Sequence, residues 1–121
     1  MAKILLVEDN EFNRIMLNRR LELKQYKVIY AVDGQEAVDM AIAELPDLIL
    51  MDLSLPVKDG FTATKEIKGN ELTQHIPIIA LTAHAMDDDK IKALMTGCDE
   101  FETKPVQFKQ LLKKMDSLIK K

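Results

Sequence analysis

Leu48-Ile49-Leu50-Met51-Asp52 decides how the rest of the chain is read. An unbroken apolar run with no polar alternate suits a strand covered on both faces, and the acid that follows closes it. Ile4-Leu5-Leu6-Val7 has the same design and runs straight into Glu8-Asp9. Val28-Ile29-Tyr30-Ala31-Val32 gives another strand, residues 76–81 a fourth, and 101–103 a short fifth. Pro77 fits an entry position of the fourth better than a central one.

The segments between these strands carry helical spacing. Residues 11–24 place Leu17, Leu21, Asn13 and Arg20 within about 100° of one another, with Met16 beside them and Ile15 on the outer side. Residues 35–45 turn Ala37, Val38, Ala41 and Ile42 inward, and a loop over 53–60 leads to a third helix at 61–68. A helix over 86–96 presents Ile91, Leu94 and Met95, with Gly97 as its C-cap. Phe108, Leu111, Leu112, Met115, Leu118 and Ile119 then recur at helical spacing. Apolar strands linked through helices predict an α/β fold, a doubly wound five-stranded parallel sheet with helices on both faces.

The chain has 121 residues, 47% apolar and 31% charged, which suits one ordinary globular domain. Seventeen basic against twenty acidic side chains give a net charge of −3, which disfavours nonspecific binding to DNA. Lys109, Lys113, Lys114, Lys120 and Lys121 read as the solvated face of the last helix rather than a nucleic-acid or membrane site. The lone Cys98 forms no internal disulfide, and the first apolar run is too short for a signal peptide or a membrane span. The expectation is therefore one domain over 1–121 with no output domain, in the cytoplasm, bound to neither nucleic acid nor membrane.

Ligands of open parallel sheets bind outside the carboxyl ends of the strands, so the residues at those ends matter most. They are Glu8-Asp9, Asp52, Thr82 and Lys104, distant in sequence and gathered by the fold on one rim. Close carboxylates repel one another unless a cation intervenes, and a hard divalent ion, Mg²⁺ or Mn²⁺ in its place, resolves this. Asp52, at the tip of the central strand, is the best nucleophile. The metal, the Thr82 hydroxyl and Lys104 would hold a phosphoryl group on it. Singly, each of these is an ordinary cap, turn or surface residue, and Lys104-Pro105 could simply start the last helix. Their coincidence carries the signal.

Leu6-Val7-Glu8-Asp9-Asn10, Met51-Asp52-Leu53-Ser54-Leu55-Pro56 with Asp59-Gly60, Leu81-Thr82-Ala83 and Thr103-Lys104-Pro105 together resemble the response-regulator receiver domain of two-component signalling. The resemblance implies a flavodoxin-like (βα)5 fold with strand order 2-1-3-4-5. It implies phosphoryl transfer from a phosphohistidine to Asp52, with Mg²⁺ held by Asp9, Asp52 and the Ser54 backbone carbonyl, and by Glu8 through water. Thr82 and Phe101 match the family's switch pair, and Ser54 and His84 the positions that influence phosphoryl lifetime.

The wording is similar to stand-alone receivers of phosphorelay, hybrid-kinase and cell-cycle type. Such receivers meet a histidine kinase, hybrid kinase or phosphotransfer protein through the first helix and the loop after the fifth strand, here Arg14, Ile15, Asn18 and Pro105. A downstream protein target would bind the face of the fourth helix, fifth strand and fifth helix, the receiver being a monomer or a phosphorylation-dependent dimer. It would act as a phosphoacceptor that can lose its own phosphate, or as a shuttle in a multistep relay, rather than as an enzyme on external substrates. A phosphorylation-independent scaffold is the lesser reading. A haloacid-dehalogenase-like phosphatase would need a second Asp where Ser54 stands. A flavodoxin-like carrier would need a phosphate-cradling loop where Glu8-Asp9-Asn10 repels phosphate.

Overall fold

β3 (Leu48–Asp52) is buried at every position and lies at the centre of the sheet. The computed structural model describes residues 2–83, 91–94 and 96–119. Around β3, β1 (Lys3–Val7), β2 (Lys27–Ala31), β4 (Ile78–Thr82) and β5 (Glu100–Thr103) form one parallel sheet in the order β2-β1-β3-β4-β5. The strand order and doubly wound architecture are those expected. β4 begins two residues later than the apolar run suggested, because Pro77 lacks an N–H for the ladder and only its carbonyl joins β3, through Ile49 N–H at 2.9 Å.

Side chains of successive strand residues point to opposite faces, so each apolar run feeds two cores. Ile4, Leu6, Leu48, Leu50, Ile79 and Leu81 pack against α1 (Glu11–Leu23) and α5 (Phe108–Ile119) through Leu21, Leu111 and Met115. Leu5, Val7, Ile49, Met51, Ile78, Ala80 and Phe101 pack on the other face. There they meet α2 (Gly34–Glu44), α3 (Gly60–Lys68) and α4 (helical residues 91–94).

Helix starts are set by side-chain caps: Asn10, Asp33 and Asp59 accept the N–H of Asn13, Glu36 and Thr62. Asp59→Ala leaves the Thr62 N–H, bonded at 2.8 Å, without its acceptor. It is expected to lower stability by about 1 kcal/mol, read as an earlier urea midpoint with unchanged slope.

Several side chains differ from the periodic reading. Met16 is 44% and Ile42 37% exposed, because on α1 and α2 only Leu21, Gly34, Ala37 and Ala41 come close enough to be fully covered. In α4 Ala93 is the buried residue, while Ile91 and Leu94 face outward. Met95 and most of the 86–96 helix lie outside the described residues, as do His84, Lys120 and Lys121. Lys114 is not a solvated lysine. Its Nζ donates to the Phe101 carbonyl at 2.5 Å and lies 2.8 Å from the buried Glu102 carboxylate, tying α5 to β5. Lys104-Pro105 does not start the last helix, which begins at Phe108; its peptide bond is cis.

Candidate functional site

The sheet delivers its acids to one rim. Backbone bonds continue the ladder just past the strand ends: Glu8 N–H to Ala31 O at 3.1 Å, Leu53 N–H to Leu81 O at 3.0 Å, and Lys104 N–H to Thr82 O at 2.7 Å. That register fixes Glu8, Asp52, Thr82 and Lys104 side by side, and Glu8, Asp52 and Thr82 are buried.

Glu8, Asp9 and Asp52 each bring a carboxylate oxygen within 4.8 Å of the other two. Lys104 Nζ lies 2.8 Å from Glu8 Oε1 and 3.0 Å from Asp52 Oδ2. The other Asp52 oxygen, Oδ1, accepts the Ser54 N–H at 3.0 Å, and Glu8 Oε2 accepts the Asn10 N–H at 3.3 Å. One ammonium against three carboxylates leaves a surplus of two negative charges, which matches one divalent cation. An all-oxygen donor set of this kind fits Mg²⁺ or Mn²⁺.

Burial pushes the Glu8 carboxyl above its ordinary value; the Lys104 ammonium opposes this and the neighbouring Asp52 adds to it. Burial alone would lower the Lys104 ammonium, but its hydrogen bonds to Glu8 and Asp52 outweigh that and hold it above its ordinary value. The lysine is therefore charged throughout the neutral range.

Because Glu8 has a raised folded value, its contribution to stability is present below its ordinary value of 4.5 and is lost as pH rises through the raised one. Metal-free Glu8→Gln is thus expected to be more stable than wild type at pH 7. The gain should vanish below that ordinary value. Thermal melts in chelator across pH check this, and Mg²⁺ should stabilise the variant less than wild type.

The rim brings together all the residues predicted there, and Phe101, 8% exposed, lies in the core beside Ala80 on β4. Of the expected docking residues, Ile15 and Pro105 are exposed and Asn18 is half-buried. Arg14 differs from a free surface cation: it donates to the Glu8 carbonyl at 3.2 Å, and its guanidinium lies 4.6 Å from the Tyr30 ring centroid. Phe12, 70% exposed, and Met16 widen the apolar surface around Ile15, which single-residue reading did not reveal. Beside them a groove of ≈ 290 Å³ runs from Asn13, Met16, Leu17 and Arg20 to Pro105 and Val106, with Glu8 and Lys104 in its wall.

Residues 4–116 match the response regulator receiver domain. The chain belongs to that family. Response regulator PleD of Caulobacter vibrioides is 39% identical over 97% of this chain, which spans 26% of PleD's length. Polar-differentiation response regulator DivK of Brucella ovis is 37% identical over 96% of this chain and 94% of its own length. The receiver domain of sensor histidine kinase PA1611 from Pseudomonas aeruginosa PAO1 superposes with a TM-score of 0.93 at 38% identity, covering 99% of this chain and 98% of that one. That structure has a magnesium ion coordinated in its active site cleft. The co-crystal structure of the Saccharomyces cerevisiae histidine phosphotransfer protein Ypd1 and the receiver domain of its downstream response regulator Ssk1 matches with a TM-score of 0.90 and 36% identity. The match covers 97% of this chain and 88% of that one. Among the described residues no helix of this receiver is long and apolar enough to cross a membrane.

Proposed function

We propose that this receiver takes a phosphoryl group from the phosphohistidine of a histidine kinase, hybrid kinase or phosphotransfer protein onto Asp52, and signals through phosphorylation-dependent protein contacts. The observation that carries this reading is the convergence of Asp52, Glu8, Asp9 and Lys104 at one strand-end rim. An Asp52 carboxylate oxygen attacks phosphorus, a P–O bond forms as the P–N bond of the donor breaks, and the freed imidazole takes up a proton. Asp9, Asp52 and the Ser54 carbonyl would hold Mg²⁺ directly, and Glu8 through water. When bound, the ion neutralises the carboxylates and the phosphoryl oxygens.

Lys104, already paired with Asp52, then holds an oxygen of the product, and the Thr82 hydroxyl another. The aspartyl phosphate brings extra negative charge and strong acceptor oxygens to the rim, enough to bias Thr82 and Phe101 between two arrangements. The readout is the face of α4, β5 and α5, and residues 1–121 act as one receiver unit. It is a phosphoacceptor that sheds its own phosphate, with no external substrate to turn over.

Arg14, Ile15, Asn18 and Pro105 form the donor's docking surface, and the exposed Phe12 beside them supports this. The likeness to the Ssk1 receiver crystallised with Ypd1 favours a second reading, a shuttle within a multistep phosphorelay. The buried free Cys98 supports a place in the reducing cytoplasm.

The test is transfer from phosphohistidine-bearing kinases and phosphotransfer proteins in Mg²⁺. The reading predicts that label moves to this chain, fastest from one donor, and that chelation stops it. Label that stays on every donor would contradict it.

A further inference from the structure

Gly34 and Gly60 are not glycines for the sake of a left-handed backbone. They stand where two stretches of main chain touch. A Cβ on Gly34, the first residue of α2, would lie 1.8 Å from the Lys58 carbonyl oxygen and 2.6 Å from its carbon. A Cβ on Gly60 would lie 2.3 Å from the Asp52 backbone carbonyl oxygen and 2.7 Å from Leu53 Cα. The loop between β3 and α3 is thus gripped from both sides by backbone.

Within that loop Lys58 N–H donates to the Pro56 carbonyl at 2.7 Å, closing a three-residue turn around Val57 with φ at 67°. That conformation is rare and strained for a β-branched residue. The Val57 side chain is 84% exposed, so burial of that side chain does not hold the turn. Strain of this kind persists only where its surroundings impose it. The first turn of α2, seated on the Lys58 carbonyl, supplies that constraint. The same loop carries Ser54, whose N–H donates to Asp52 Oδ1 at 3.0 Å.

We propose that Gly34 is a positioning residue for phosphoryl transfer. By letting α2 pack directly on Lys58, it holds the turn at Val57 and so fixes the Ser54 backbone beside Asp52. This inference rests on the reading of Asp52 as the phosphoacceptor. An alanine at 34 must push the Lys58 carbonyl away by about 1 Å or more, and misplacements of that size cost up to roughly a hundredfold in rate. Lys58 lies four residues beyond Ser54, and the Lys58–Pro56 hydrogen bond ties part of that stretch together, so the displacement passes to the reacting carboxylate unless a hinge absorbs it.

The experiment compares wild type, Gly34→Ala, Gly34→Ala/Val57→Gly, Val57→Pro and the control Ala41→Gly, which loosens the same helix away from the loop. Two readouts are taken: amide resonances and hydrogen exchange at Ser54, Lys58 and Gly60 in the metal-free protein, and phosphate incorporation from a small acyl phosphate at saturating Mg²⁺. Gly34→Ala is expected to shift all three amides, speed exchange at Lys58 and Gly60, and slow incorporation by about tenfold or more. Val57→Gly, which hinges the turn without strain, should bring the double variant to within about threefold of wild type. Val57→Pro, whose ring forbids the observed φ at an exposed position, should reproduce the loss with Gly34 intact. Ala41→Gly should lower the melting temperature and leave both readouts as in wild type.

A folded Gly34→Ala with an unmoved Ser54 amide and incorporation within about twofold of wild type would overturn the proposal. So would an equal loss in Ala41→Gly without rescue by Val57→Gly. Should Gly34→Ala fail to fold, Val57→Pro decides: incorporation equal to wild type overturns the proposal, and a loss with shifted Ser54 and Lys58 amides supports it. Wild type that takes no phosphate contradicts the phosphoacceptor reading instead, and the amide readout still decides whether Gly34 positions the loop.

Discussion

Asp52→Ala is expected to lower phosphate incorporation from a small acyl phosphate in Mg²⁺ by at least about a thousandfold, the scale seen when an attacking nucleophile is removed. Among the described residues the neighbouring carboxylates are placed differently from Asp52. Glu8 Oε1 is committed to Lys104 at 2.8 Å, and its Oε2 faces the Asn10 N–H at 3.3 Å. Asp9 lies on the exposed side of the cluster. The variant should fold, because Lys104 keeps its pair with Glu8 and β3 keeps its apolar residues on both faces. Thermal melts establish that it is folded, and radiolabel retained on the chain gives the rate. Equal labelling of wild type and Asp52→Ala would remove Asp52 from the account.

Lys104→Met is expected to act on both chemistry and stability. Its ammonium is the one positive charge within 3.0 Å of Asp52 among the described residues, where the transferred oxygens would gather charge. Removing one such group costs about a hundredfold or more in rate. The same change leaves Glu8 and Asp52, both 4% exposed, buried without their counter-charge. Breaking a buried pair from one side costs about 3 kcal/mol.

The sign of the remedies follows. Acid neutralises the orphaned Glu8 carboxyl, and Mg²⁺ balances the site's negative charge without acid, so the stability gap to wild type should narrow under either. Denaturant unfolding with chelator, with Mg²⁺ and at low pH checks this. A metal-free Lys104→Met as stable as wild type at pH 7 would show that the lysine does not balance the acids.

The strands were legible because burial on both faces leaves a run such as Ile4-Leu5-Leu6-Val7 with no polar alternate. The rim was legible because a parallel sheet sends all its strand ends one way, so Glu8, Asp52, Thr82 and Lys104 had to meet. Helix faces were less so. On α1 only Leu21 is fully buried, and Met16 and Asn13 border a groove instead of a core, which no periodicity distinguishes.

Long-range backbone contacts left no local signal at all. Asp33-Gly34 marks a turn and cap, but nothing nearby says that the glycine faces Lys58. Arg14 and Lys114 look like surface cations until the fold brings the Glu8 and Phe101 carbonyls within reach. The groups of the site were readable from residue types at strand ends, whereas the parts that hold them still depend on approaches between distant segments.

The most direct test of the account is to locate the phosphoryl group on wild-type chain labelled by a phosphohistidine donor in Mg²⁺. Peptide mass mapping with and without hydroxylamine does this. One hydroxylamine-labile phosphoryl group is expected, on the peptide carrying Asp52. A hydroxylamine-stable group on a hydroxyl side chain, or a labile group that maps to a histidine or to any other carboxylate, would contradict it.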